Sequence, residues 1–266
     1  MSVPMLRRAA LDLRWTVVWY AVGLAVYGIL ICAVYPTFRD SQAQFQQLLQ
    51  TYPKAFLQAF GVSTDMGTLP AFLGVEFLNV IWALIISVFA IMAGTATVAQ
   101  EVERGTADLW LSVPVGRARL LASKLLAMLV GAVVLVLATA ATIAVGGMAV
   151  GEPQPVSRLA AAGVEMLAFT VAVGGYAVLL STLFDERGKA AGVAAGVTLA
   201  CYLAWVVAGL VSRVSWLRYL SIFTAYKPQD ALSHGTLTPG AGLLVLLGVA
   251  CALAGLLVFQ RRDILG

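Results

Sequence analysis

Few side chains in this sequence have the type and spacing that chemistry needs, and they do not converge. His234 is the only histidine, so no H-E-x-x-H metal helix is possible and a Ser-His-Asp triad finds no support; it reads as a solvated loop residue. Gly188-Lys189 looks like the end of a phosphate loop. However, Leu183 stands where G-x-x-x-x-G-K-[ST] needs glycine, and Ala190 replaces the hydroxyl residue. Cys32, Cys201 and Cys251 all lie in apolar stretches, with neither a disulfide framework nor metal-ligand spacing, and read as small buried hydrophobes. Two carboxylates, Glu76 and Glu165, touch long apolar runs. A charge at the centre of a bilayer costs about 2.5–3.5 kcal/mol on insertion scales, so such groups normally face water, a cavity or a partner. Both sit near the outer ends of their runs. They are either interfacial carboxylates, with Arg158 or a neighbour as counter-ion, or polar lining of a substrate path.

One stretch is different in kind. Glu101 to Lys124 carries Glu101, Glu103, Arg104, Asp108, Arg117, Arg119 and Lys124 around an apolar knob, Leu109-Trp110-Leu111. None of this is catalytic; it reads as a surface made to be gripped. Gly105 can end a helix descending from the preceding apolar run, and Thr106 can cap a new one with Asp108 in its first turn. Pro114 stops that helix, because the residue before a proline is pushed out of helical geometry. The spacing predicts a short helix over Ala107 to about Ser112, lying along a membrane, with Arg117 to Lys124 leading into the next run.

The elements that position these groups follow from composition. The chain is 61% hydrophobic and 11% charged, with a mean hydropathy of +0.92, whereas soluble domains carry about 25% charged residues. A bilayer is the solvent that fits. Spans of about 20 apolar residues are predicted at Trp15–Tyr35, Phe77–Ala99, Leu125–Val150, Leu159–Phe184, Ala190–Val211 and Ala241–Phe259. The first is too long for a signal peptide's apolar region and has no A-x-A site after it. The whole is expected to be a single all-α transmembrane domain.

The basic residues set the orientation. An inner N-terminus puts Arg7, Arg8, Arg14, Arg104, Arg117, Arg119, Lys124, Arg187, Lys189, Arg261 and Arg262 on the cytoplasmic side, eleven of the seventeen Lys and Arg. Both termini and the charged island then face the cytoplasm. Between the first two spans, Phe45, Leu48, Leu49, Tyr52, Phe56, Leu57 and Phe60 recur at helical spacing among glutamines, which predicts a broken amphipathic helix in the outer interface. Ser212 to Gly240 mixes aromatic and basic residues and is either an interface anchor or a re-entrant turn. Gly188, Gly192 and Gly196 open the fifth span with a small residue every fourth position, which lets a second helix backbone approach closely. Basic residues gathered on one stripe, as nucleic-acid binding needs, are missing.

The pattern Glu101-Val-Glu103-Arg104-Gly105-Thr106, then Leu111-Ser112-Val-Pro114-Val-Gly-Arg117, then Ser123-Lys124 resembles the permease subunits of ABC-2-type (type V) ABC transporters. Tyr35-Pro36, Ala59-Phe60-Gly61 and the terminal Phe259-Gln-Arg261-Arg262-Asp263-Ile264 support the resemblance, which covers the whole chain. It departs in one place: Gln100 stands where the family often has a second glutamate. The resemblance implies an export permease without catalysis of its own, in a prokaryotic cell membrane. The loop would be a coupling helix seated on a separate ATP-binding subunit, with two copies of each subunit and with ATP and Mg on the partner. Glu101, Glu103, Arg104, Gly105, Thr106, Pro114 and Arg117 would shape the loop, and Leu109, Trp110 and Leu111 would be its buried contact. Gly188, Gly192 and Gly196 would line a homodimer interface, and Glu76 and Glu165 a substrate path. The alternatives are a non-transporting anchor or sensor subunit of an ABC complex and a secondary transporter, which would need broken or charged helices at mid-membrane.

Overall fold

In the computed structural model, residues 3–41, 67–103 and 117–261 are described. Every regular element among them is helical, as an apolar solvent demands: a chain there must satisfy its backbone within itself. The elements are α1 (Val3–Asp40), α2 (Leu69–Thr95), α3 (Ala99–Glu103), α4 (Arg117–Ala149), α5 (Val156–Leu183) and α6 (Arg187–Leu210). A 3-10 stretch (Ser212–Leu220) follows, then α7 (Ile222–Ala225), α8 (Pro228–His234) and α9 (Pro239–Arg261). Six of them, α1, α2, α4, α5, α6 and α9, are long and apolar enough to cross a membrane. The predicted amphipathic helix around Phe45–Phe60 lies outside the described residues.

The helices depart from the predicted spans at informative places. At 38 residues, α1 is about 57 Å long against a hydrocarbon core of about 30 Å, so its polar first turns project beyond the bilayer. Pro36 lies inside α1, so Tyr35-Pro36 does not begin an outer segment. The second span starts eight residues earlier than predicted, at Leu69, with Pro70 in its first turn. Thr68 makes no side-chain cap there. The carboxylate of Glu152 supplies it from the α4–α5 turn, accepting from Leu69 N at 3.1 Å and from Tyr35 Oη at 2.6 Å. Arg39 Nη1 lies 3.7 Å from the same carboxylate. One side chain thereby joins the ends of α1 and α2 to α4.

Within α2, Gly74–Trp82 is wound as a π-helix. That geometry disturbs the backbone ladder, and neighbouring groups make up the difference. Tyr226 Oη donates to Leu78 O at 3.0 Å, and Asn79 Nδ2 donates to Gln229 Oε1 at 2.9 Å. Both partners come from Ser212–Gly240, whose two halves behave differently. The 3-10 stretch keeps Trp216, Tyr219 and Leu220 on the surface, whereas α7, α8 and the turn between them bury Phe223, Tyr226, Ala231 and Leu232. The ring of Phe169 on α5 lies 5.2 Å from Phe223 and 4.5 Å from Tyr226. The segment is thus a surface anchor followed by a turn that re-enters the bundle.

α5 is the hub, packing on α9, α2, α8, α6 and α4, while α1 rests mainly on α4. The α5–α9 seam is tightest where Gly175 and Gly248 meet: a Cβ on either would collide with backbone of the facing helix. Gly175→Val should therefore lower the thermal unfolding midpoint of the full chain in detergent, overpacking of this kind costing about 1–3 kcal/mol or more. Gly23→Ala is the control, since a Cβ there meets nothing within 4 Å; an equal loss in both variants would refute the seam.

Candidate functional site

The charged island does not continue α2. The helix stops at Thr95, and Ala96–Val98 form a turn before α3 restarts at Ala99. The break leaves the first N–H groups of α3 without helical acceptors. Ser181 Oγ on α5 solves this. It accepts from Val98 N at 3.0 Å and Ala99 N at 2.9 Å, and donates to Thr95 O at 3.1 Å. Thr97 Oγ1 bonds back to Gly94 O at 2.6 Å.

Lys124 holds the corner from α4. Its Nζ donates to Ala96 O at 3.3 Å, Thr97 O at 2.9 Å and Glu101 Oε1 at 2.8 Å, so a cation sits on the carbonyls at the end of α2, where the helix dipole favours one. The pair is mostly shielded, with side-chain exposures of 18% for Lys124 and 25% for Glu101. From α6, Arg187 N donates to Glu103 Oε2 at 2.9 Å and Arg187 Nη2 donates to Met92 O at 3.1 Å. Beneath lies a small apolar cluster of Ala93, Val98, Leu121, Met128, Val178 and Phe259. Corner, α4, α5 and α6 are therefore fastened together around α3.

Among the sequence candidates, Glu101 and Glu103 come together in this corner. Arg104, Gly105, Thr106, Leu109, Trp110, Leu111 and Pro114 lie outside the described residues, and of Arg117 only the backbone, the start of α4, is described. Gly188, Gly192 and Gly196 are exposed and would meet nothing within 4 Å if given a Cβ. The opposite face of α6 buries Ala190, Ala194 and Thr198, with Thr198 Oγ1 bonded to Tyr176 Oη. The glycine stripe thus points away from the rest of the chain.

Glu76 and Glu165 are not brought together. Glu76 is exposed in the π-helical stretch of α2. Glu165 lies nine residues into α5, about 13 Å along its axis, and is fully buried. Its partner is not Arg158 but Thr238, whose N and Oγ1 both donate to Glu165 Oε1, at 2.9 and 2.7 Å. His234 is exposed at the end of α8, its Nδ1 3.0 Å from Asp230 O. Lys189 Nζ pairs with Glu186 at 2.6 Å.

The sequence reading missed Ser181, Glu152 and Thr238. Ser181 carried one faint signal, a hydroxyl in an otherwise apolar run; which backbone it would serve depended on packing.

Six apolar helices, five of them around a central α5, with no group of three His, Cys, Asp or Glu placed to hold a metal among the described residues, define a multi-pass α-helical membrane protein. A family model described as ABC-2 family transporter protein matches residues 8–264. The chain belongs to that family, as a membrane permease component that is not itself catalytic. Comparison with curated proteins returned no match.

The corner makes a direct prediction. Ser181→Ala leaves two N–H groups without their acceptor, a loss of about 1–3 kcal/mol. In hydrogen-exchange measurements on the full chain, the Val98 and Ala99 amides should exchange faster while those of α9 hold. Unchanged exchange at Val98 and Ala99 would show that Ser181 does not hold the corner.

Proposed function

We propose that this chain is the membrane-spanning subunit of an ATP-driven exporter, moved by a separate ATP-binding subunit gripping the loop after α3. Family permeases typically work with such a subunit. The observation that carries the reading is the fastening of the loop's base to three spans at once, through Ser181, Lys124 and the Glu103–Arg187 contact. Force applied to the loop is then delivered to α4, α5 and α6 together, whereas an unattached hairpin would simply flex.

In this mechanism Leu109, Trp110 and Leu111 are the apolar contact with the ATP-binding subunit. Arg104, Gly105, Thr106, Pro114 and Arg117 shape the loop, and Glu101 and Glu103 tie it to the bundle. ATP and Mg belong to the partner. The loop faces the cytoplasm of a prokaryotic cell together with both termini, in keeping with the excess of Lys and Arg at that end. A second copy of the chain meets this one along α6, where the outward Gly188, Gly192 and Gly196 stripe offers close backbone approach. Two ATP-binding subunits complete the assembly. The substrate passes between the two permeases; Glu76, exposed on α2, lines that path, and Glu165 holds the bundle from within.

Two experiments test the reading. Co-expressed with a candidate ABC ATP-binding subunit from the same genome, the wild-type chain should co-purify with that subunit, and Trp110→Asp should abolish the association while the spans stay folded. Retention of the complex in Trp110→Asp would remove the coupling role. Separately, Ala195→Cys in membranes, with the native cysteines replaced, should cross-link to a dimer, and exclusively monomeric product would remove the α6 interface.

A further inference from the structure

The six long helices place very little charge at membrane depth. Within residues 15–35, 69–95, 125–149, 159–183, 190–210 and 241–259 the charged side chains are Glu76 and Glu165, both acids. Glu165 is fully buried and bonded to Thr238; Glu76 is the one that reaches the surface. It lies seven residues into the 27-residue α2, about 10 Å along a helix of about 40 Å. For a helix centred on the bilayer that depth is inside the hydrocarbon, whose thickness is about 30 Å. A carboxylate there is costly and normally meets a partner or a path. Among the described residues, no ion pair reaches it.

The surface around Glu76 is narrow and otherwise apolar. α2 exposes Glu76, Val88 and Met92 and keeps its remaining side chains partly or fully buried. On one flank is α1, where Tyr27 Oη donates to Glu76 O at 3.2 Å and the half-buried Tyr27 ring lies 5.5 Å from that of Phe77. α6 packs on α2 as well, with Arg187 Nη2 donating to Met92 O at the other end of the strip. The strip thus offers a fixed negative charge next to a tyrosine, and apolar side chains further along. An anion is repelled by the only charge on this surface, and a neutral molecule leaves the carboxylate uncompensated. A cation with an apolar body suits both ends, and an aromatic neighbour such as Tyr27 adds to its attraction. Acidic side chains along a membrane path select the sign of what passes in the same way.

We propose that Glu76 is a specificity-determining residue and that the substrate class is lipophilic organic cations, held with their charge at Glu76 and their body along the α2 strip. The substrate role rests on the reading of the chain as an exporter with its path at this surface; the preference for a cation belongs to the chain by itself.

The test uses tetraphenylphosphonium and tetraphenylborate, ions of the same shape and opposite charge. Their saturable binding to the full-length chain is measured by equilibrium dialysis in a zwitterionic detergent. Wild type should bind the phosphonium more tightly than the borate. Glu76→Gln should weaken phosphonium binding about fivefold, the upper worth of one exposed ion pair, without weakening borate binding, and Glu76→Asp should keep most of the phosphonium affinity. Glu186→Gln, at the start of α6, should change neither. Equal affinity of wild type for the two ions, or an equal loss in Glu76→Gln and Glu186→Gln, would overturn the site. In complex with the ATP-binding subunit, tetraphenylphosphonium should raise ATP hydrolysis more in wild type than in Glu76→Gln; equal stimulation would overturn the substrate role. Dialysis needs no partner subunit, so failure of the coupling reading in Trp110→Asp leaves the binding result intact and the two failures are told apart.

Discussion

The described part of this protein's charged end depends on how a broken helix keeps its backbone bonded. When α2 stops at Thr95 and α3 begins at Ala99, donors and acceptors that a continuous helix would pair internally are freed within an apolar bundle. A single hydroxyl, Ser181 Oγ, takes two of those donors and returns its own proton to Thr95 O. The Lys124 ammonium covers two of the carbonyls. Within a helical membrane protein, such a break is tolerated where other groups restore the bonding. The same restoration makes the corner a mechanical joint, because neither Ser181 nor Lys124 can hold it without carrying the motion of its own helix.

Packing around that joint is uneven. α5 is enclosed on several sides, with Gly175 against Gly248 and with Gly94 of α2 seated on Ala177. In contrast, α1, α6 and α9 are the least buried of the six spans. Close glycine contacts resist sliding, because interiors of this density repack in discrete steps. The α2–α5–α9 body is therefore the most tightly seated part of the bundle. The exposed faces of α1 and α6 are left to lipid or to another subunit.

The sequence revealed the six spans readily, because a bilayer dictates length and apolarity without asking for particular side chains. It did not reveal the interruption at Ala96–Val98, since those three residues include neither glycine nor proline and lie in an apolar run. Periodicity had no access to it; the break exists because Ser181, more than eighty residues away, makes it affordable in hydrogen bonds. Ser212–Gly240 was ambiguous for a related reason. Aromatic residues serve equally at an interface and in a core, and only the disturbed backbone at Leu78 explains why Tyr226 turned inward. Glu101 and Glu103 were legible as members of a charged island, but their partners Lys124 and Arg187 N belong to other helices.

A common rule ties the scarce carboxylates together. Glu152 takes Leu69 N at the start of α2, Glu103 takes Arg187 N at the start of α6, and Glu165 takes Thr238 N just before α9. Neither Thr68 before α2 nor Glu186 before α6 provides a side-chain cap of its own. In each case an acid from elsewhere in the chain satisfies an orphan donor and sets negative charge against the positive end of a helix dipole. A local cap would fix only its own helix, whereas a distant one also fixes the helix's place in the bundle. Glu165 illustrates this best. It lies deep in α5 with Oε1 shared by both donors of Thr238, so the carboxylate holds the start of α9 against the hub. That hold runs through Oε1 alone, since Oε2 is buried and meets no donor among the described residues.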